Sequence, residues 1–118
     1  MKTLSLTAVI HVTDLQSATT YYTDILGFKV DFKFGDYMGL TYGDICIHLN
    51  GPTNQGTKKA PGGAHFCIDC DEVDAYYDLI SEKGALIIVP LEDREYGMCD
   101  FAVNDIDGNT LVFGKAII

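Results

Sequence analysis

Two stretches of this sequence follow one plan. Ile10-His11-Val12-Thr13-Asp14 leads into a helix-like run that stops at Gly27, and Cys67-Ile68-Asp69-Cys70-Asp71 leads into a second that stops at Gly84. Thirteen residues separate Asp14 from Gly27 and Asp71 from Gly84, and an alanine stands four residues past each aspartate, at Ala18 and Ala75. Each unit reads as strand, capped helix, terminal glycine and further strands. Matched spacing of this kind predicts a duplicated supersecondary unit, with a site where the copies meet.

The local signals fill in the plan. Residues 4–12 alternate and are rich in β-branched side chains, which predicts a strand. Asp14 can cap the helix that follows, whose apolar stripe is Ala18, Tyr21, Tyr22, Ile25 and Leu26, with Gly27 at its C-terminal end. Strands are expected at Phe28–Phe34, Tyr37–Tyr42 and Ile45–Leu49, joined by turns at Gly35-Asp36 and Gly43-Asp44. The polar, Gly- and Pro-containing stretch 51–63 reads as a linker. A second copy follows: a strand at Ala64–Asp69, a helix at Val73–Lys83 behind Asp71-Glu72, and strands at Ala85–Val89, Cys99–Val103 and Thr110–Phe113. The expectation is an α+β fold in one domain, 1–118, of two βαβββ modules at 1–50 and 64–118. Their curved sheets are paired, with helices on the outer face.

Charge and composition narrow the partners. The formal net charge is −9, which argues against nucleic acid, since phosphate binding needs Lys and Arg to displace counterions. The same field attracts cations. No apolar run approaches the roughly 18 residues of a membrane helix. The N-terminus lacks the pattern of a signal peptide, so the cytoplasm is expected. Cys67 and Cys70 have CxxC spacing, but on a strand residues three apart point to opposite faces. Four free, mostly packed thiols are therefore expected.

Alternation also sorts side chains between the helix-covered face and the other. Leu6, Ala8, Ile10 and Val12, then Ile45, Ile47 and Leu49, then Phe66, Ile68, Phe101, Val103, Leu111 and Phe113 should face the helices. That leaves Thr7, Val9 and His11, then Cys46, His48 and Asn50, then His65, Cys67 and Asp69, and finally Asp100, Ala102, Thr110 and Val112 on the opposite face. All three histidines of the chain fall there, and converging imidazoles can bind a divalent metal or move protons. No phosphate-binding Gly loop, nucleophile elbow or HExxH pair is present. Tyr96-Gly97-Met98 precedes a strand and could set an aromatic ring at a pocket mouth.

With these residues in view, the chain resembles the vicinal oxygen chelate superfamily of glyoxalases, extradiol dioxygenases and bleomycin resistance proteins. The resemblance runs through Asp14-Leu15 to Leu26-Gly27-Phe28, then Gly43-Asp44-Ile45-Cys46-Ile47-His48-Leu49, and then Glu95 to Asn109. The last segment is similar to the bleomycin-resistance branch, with Ile106 in place of the usual proline of its Asp-x-Asp-Gly-Asn turn. The superfamily's enzymes hold a divalent metal with four side chains. Carried over, those positions fall on Thr7, His48, His65 and Val112, of which valine cannot ligate and threonine does so weakly.

The resemblance thus implies a homodimer that binds a cationic or aromatic small molecule without a metal. His11, Cys46, His48, His65, Cys67, Asp100 and Ala102 line its cleft, and Phe32, Phe34, Tyr37, Tyr96 and Met98 form apolar walls. The alternative is a lyase or dioxygenase that uses His48 and His65 with zinc, nickel, manganese or iron.

Overall fold

The structure, a computed structural model, describes residues Met1–Ile118. The elements in chain order are β1 (Ala8–His11), α1 (Leu15–Thr20) continuing as a π-helical segment (Tyr21–Ile25), β2 (Lys29–Lys33), β3 (Tyr37–Tyr42) and β4 (Ile45–Asn50). Then come β5 (His65–Asp69), α2 (Val73–Glu82), β6 (Leu86–Asp93), β7 (Met98–Asn104) and β8 (Thr110–Ala116). They form two four-stranded sheets, ordered β1-β4-β3-β2 and β5-β8-β7-β6. In each sheet the first strand pairs in parallel with the last, and the other pairs are antiparallel. This is the expected α+β fold of two βαβββ units.

The two copies are in different register from the one their spacing suggests. Val12 donates its amide to the Asn50 carbonyl, and Cys70 does the same to Gly114. Val12 thus matches Cys70, and the helices start at Leu15 and Val73. Asp14 is the N-cap of α1, its carboxylate accepting from the Ser17 amide at 2.9 Å and hydroxyl at 2.6 Å. The matching N-cap of α2 is Glu72, which makes no side-chain capping bond. Asp71 sits one residue too early and accepts only from the Glu72 amide. For the same reason Ala18 is fully buried while Ala75 is exposed.

The π-helical segment restores the phase. Leu26 donates to the Tyr21 carbonyl, five residues back, a widened turn that takes up one extra residue. After it, Gly27 and Gly84 match again, both at positive φ (84° and 88°). Nothing in Tyr21–Ile25, which lacks Gly and Pro, marks that insertion.

The N-terminal strand is also shorter than alternation predicts. Pairing begins at Ala8, and residues 1–7 form an unpaired segment on which Leu4 and Leu6 are each 87% exposed. Leu6 therefore does not join the helix-facing set. The C-terminal strands run longer than expected, β6 through two irregularities between Ile87 and Glu92.

One cluster of 18 buried residues spans both units. A seam of hydrogen bonds joins them. Tyr21 donates to the Asn104 carbonyl at 2.7 Å, Tyr76 donates to that of Leu26 at 2.6 Å, and Thr13 donates to the Asp107 carboxylate. The molecule measures 44 × 41 × 23 Å. Two sheets stacked face to face with helices outside would need roughly 30 Å between outer layers alone. The chain is one sheet and one helix thick, and no second sheet covers the helix-free faces, where Val9 and Val89 are exposed while Asp100 and Ala102 are buried. No helix is long and apolar enough to cross a membrane.

Candidate functional site

Across the helix-free face of the first sheet, one row of register partners runs Val9, His48, Gly39, Phe32. Gly39 leaves a gap that the Phe32 ring fills, since a Cβ on Gly39 would come within 2.1 Å of that ring. Lying there, Phe32 meets His48 edge-on with centroids 5.1 Å apart and runs nearly parallel to Tyr37 at 6.3 Å. The Tyr37 hydroxyl lies 2.9 Å from Nδ1 of His48. Burial raises the pKa of the Tyr37 phenol, so the hydroxyl keeps its proton. When that hydroxyl donates to Nδ1, the imidazole proton resides on Nε2 and offers a donor to a ligand. Phe32, Tyr37 and His48 make an aromatic surface with one polar handle.

His11 is held differently. Its Nδ1 lies 3.2 Å from Nδ2 of Asn50 and accepts from the Lys59 amide at 3.4 Å. A nitrogen approached by two N–H donors is the acceptor, so the His11 ring proton sits on Nε2. These contacts fasten the linker over the edge of the first sheet. Phe34, 81% exposed, lies beyond the end of β2 and is not part of the aromatic group.

The second sheet carries a polar knot. Asp100 is buried, and Arg94 Nε donates to its Oδ1 at 2.9 Å while the Tyr96 hydroxyl donates to its Oδ2 at 2.5 Å. Arg94 also donates to Glu92 and to the Pro90 carbonyl. The hydrogen bond to Asp100 raises the pKa values of both the Tyr96 phenol and the Arg94 guanidinium. Asp100 is thus already neutralised by the chain's only arginine. Tyr96 stays 67% exposed over the knot. Met98 is half-buried and Ala102 buried beside it, while His65 and Cys67 are exposed on β5.

Several of these features escaped the sequence reading. Gly39 and Arg94 were not among the expected site residues, and Asn50 was expected on this face but not in the cleft lining, although a glycine inside a strand does signal a close approach. The thiols also differ from expectation. All are free, but Cys46 and Cys67 are exposed and Cys70 and Cys99 half-buried, so none is fully packed. Cys67 and Cys70 do take opposite sides, since Cys70 packs against the core.

Within one chain the four superfamily metal positions do not come together. His48 and His65 lie on different sheets, Thr7 is in the unpaired segment and Val112 has no donor atom. Within the chain no three His, Cys, Asp or Glu side chains converge. A catalytic zinc or a related ion needs about three protein ligands, so this donor set does not fit one.

The chain belongs to the glyoxalase/bleomycin resistance protein/dioxygenase superfamily, whose family model matches residues 5–113. No curated protein sequence matches it. Among solved structures it is similar to TioX from Micromonospora sp. ML1, with 20% identity, 97% of this chain and 99% of that one covered, and a TM-score of 0.81. It is also similar to the integron cassette protein VCH_CASS1 from the mobile metagenome of V. cholerae (25% identity, 98% and 97% covered, TM-score 0.77). A third is the bleomycin-binding protein from bleomycin-producing Streptomyces verticillus, complexed with copper(II)-bleomycin (23% identity, 96% of each chain, TM-score 0.78).

Proposed function

We propose that this chain acts as a homodimer that holds a flat, ring-bearing small molecule between the helix-free faces of its sheets, with no resident metal. The observation that carries this reading is the Phe32–Tyr37–His48 surface, an aromatic group built over Gly39 on a face left open to solvent. An apolar wall with a few placed polar groups is what a ligand cleft needs. Exposed apolar residues on both faces, among them Val9 at 47% and Val89 at 42%, favour a covering partner. The kinship with a bleomycin-binding protein supports reading a chain of this fold as a binder.

The ligand class follows from what the face can offer. Asp100 is held by Arg94 and Tyr96, so ring stacking supplies most of the contact. The net charge of −9 draws in cations at long range, which favours an aromatic cation over a neutral ring. The test is a fluorescence titration with the planar cation ethidium and the neutral ring system acridone. Both should bind, ethidium more tightly, and Phe32→Ala should weaken both. Binding that is indifferent to Phe32→Ala would remove the first sheet from the site.

A further inference from the structure

The duplication leaves the molecule with two seams that ought to match and do not. At the first, the five-residue turn Asp105–Asn109 between β7 and β8 folds over the start of α1 and is sealed by Thr13, Tyr21 and Tyr22. At the second, the turn between β3 and β4 is only Gly43-Asp44, three residues shorter, and it stops short of the start of α2. Counting from the helix starts, Leu79 stands where Tyr21 stands. Tyr21 is buried at 7% exposure, whereas Leu79 is 48% exposed and has no hydroxyl to close the gap. The result is a cavity of about 700 Å³ between the short hairpin and the first two turns of α2.

The lining of this cavity is specific in its chemistry. Its apolar wall includes Ile45, Ile68, Tyr76, Leu79 and Phe113, and its rim carries the carboxylates of Asp44, Asp69, Asp71 and Glu72. No lysine or arginine lines it, and the chain's salt bridges all belong to Arg94, away from this rim. The acids are not consumed by the helix either. Glu72 makes no capping bond with its side chain, and Asp71 accepts only from the Glu72 amide. Where Thr13 donates to Asp107 at the first seam, the matching Asp71 shares this rim with Asp44. Four carboxylates exceed the roughly half positive charge of a helix N-terminus, so the rim is net anionic.

We propose that this cavity is a second ligand site, separate from the helix-free faces, for a small organic cation: an ammonium group on an aromatic or alkyl body. The volume falls within the ordinary range of small-molecule pockets. The body takes the place of the longer turn that the second seam lacks, beside Tyr76, whose hydroxyl is held by the Leu26 carbonyl, and the ammonium meets the unpaired carboxylates.

The probe is tryptamine, with indole-3-propionate as its anionic counterpart, followed by amide chemical shifts in the full-length protein. Tryptamine should move the signals of Asp44, Ile45, Ala75 and Leu79, and indole-3-propionate should not. Ala75→Phe, which fills the cavity from an exposed helix position, should abolish the response while the rest of the spectrum stays that of the folded protein. Glu72→Gln should weaken binding about two- to fivefold, the worth of one exposed ion pair. Phe32→Ala should leave tryptamine binding at this cavity unchanged, so the two sites can fail independently. The proposal is overturned if tryptamine leaves these signals in place, if the anion moves them equally, or if the shifts follow protein concentration and report self-association instead.

Discussion

The hydroxyl of Tyr22 donates to Oδ2 of Asp105 at 2.8 Å, joining the helix of the first unit to the last turn of the second. The same carboxylate accepts from the side chain of Asn109 and from the amides of Asp107 and Asn109, and Asn109 in turn accepts from the Ala64 amide. Tyr22, Asp105 and Asn109 are all buried. The Asp-x-Asp-Gly-Asn turn is thereby a clasp between the units, in which every donor aimed at Asp105 is satisfied. Tyr22→Phe removes one buried hydrogen bond and should cost about 1 kcal/mol of unfolding free energy. Asp105→Ala strands several donors and should cost roughly 3 kcal/mol or more. Urea denaturation of the two variants checks the order, and an equal loss in both would contradict the clasp.

Alkaline pH should open the same seam. Burial raises the pKa values of Tyr21, Tyr22 and Tyr76 above the ordinary value of 10.0. A phenol raised on folding leaves stability intact below the unfolded value and weakens it as pH climbs above, because only the unfolded chain then ionises. The melting temperature should therefore hold up to about pH 10 and fall above it. Tyr22→Phe should lessen the slope of that fall, which melts between pH 8 and 11 would show.

Gly39→Ala tests the aromatic surface without changing any of its three side chains. The new methyl would stand where the Phe32 ring lies, so the ring must swing away from His48. Gly39 has no positive φ, and the backbone accepts alanine. Binding of ethidium should then weaken as much as in Phe32→Ala, with little change in melting temperature. A variant that binds normally would show that the gap is only a packing detail.

Tyr96→Ala should weaken ethidium about five- to a hundredfold if the ring walls the cleft, the range for aromatic anchors. Because Tyr96 also donates to Asp100, its loss should loosen the loop at Gly97 while the core stays folded. Tyr96→Phe separates the two roles, keeping the ring and losing the hydroxyl, and should bind nearly as well as the parent. Salt offers a further check. From about 0.05 to 0.5 M the Debye length falls from roughly 14 to 4 Å, so ethidium should weaken and acridone barely respond.

Metal analysis of the purified protein should find less than one equivalent of zinc, nickel, manganese or iron per chain. A tightly held equivalent would favour the enzymatic alternative through His48 and His65.

Much of this architecture is legible in the sequence because it depends on periodicity. Alternation put Ile10, Ile47, Leu49, Phe101 and Phe113 on the core side, where they are buried, and the turn residues located the hairpins. What failed depends on partners distant in sequence. Leu4 and Leu6 continue the alternation of β1 but have no strand beside them, so pattern alone extended the strand too far. The equal spacing from Asp14 to Gly27 and from Asp71 to Gly84 concealed a one-residue slip that the π-helical turn absorbs. The site shows the same division. Alternation assigned His48 to the helix-free face, and Phe32 and Tyr37 were expected only as apolar walls, but their contact comes from cross-strand register and the empty position at Gly39. The engagement of Asp100 by Arg94 and Tyr96 needs the irregular path of β6, which no local rule supplies.

The most direct test of the paired-face account is sedimentation equilibrium of the unliganded protein at micromolar concentration. The account predicts a mass of twice the 12.9 kDa chain, because the exposed apolar residues of the two helix-free faces need a second copy to cover them. A single species at 12.9 kDa would leave the Phe32–Tyr37–His48 surface without an opposing wall and would contradict it.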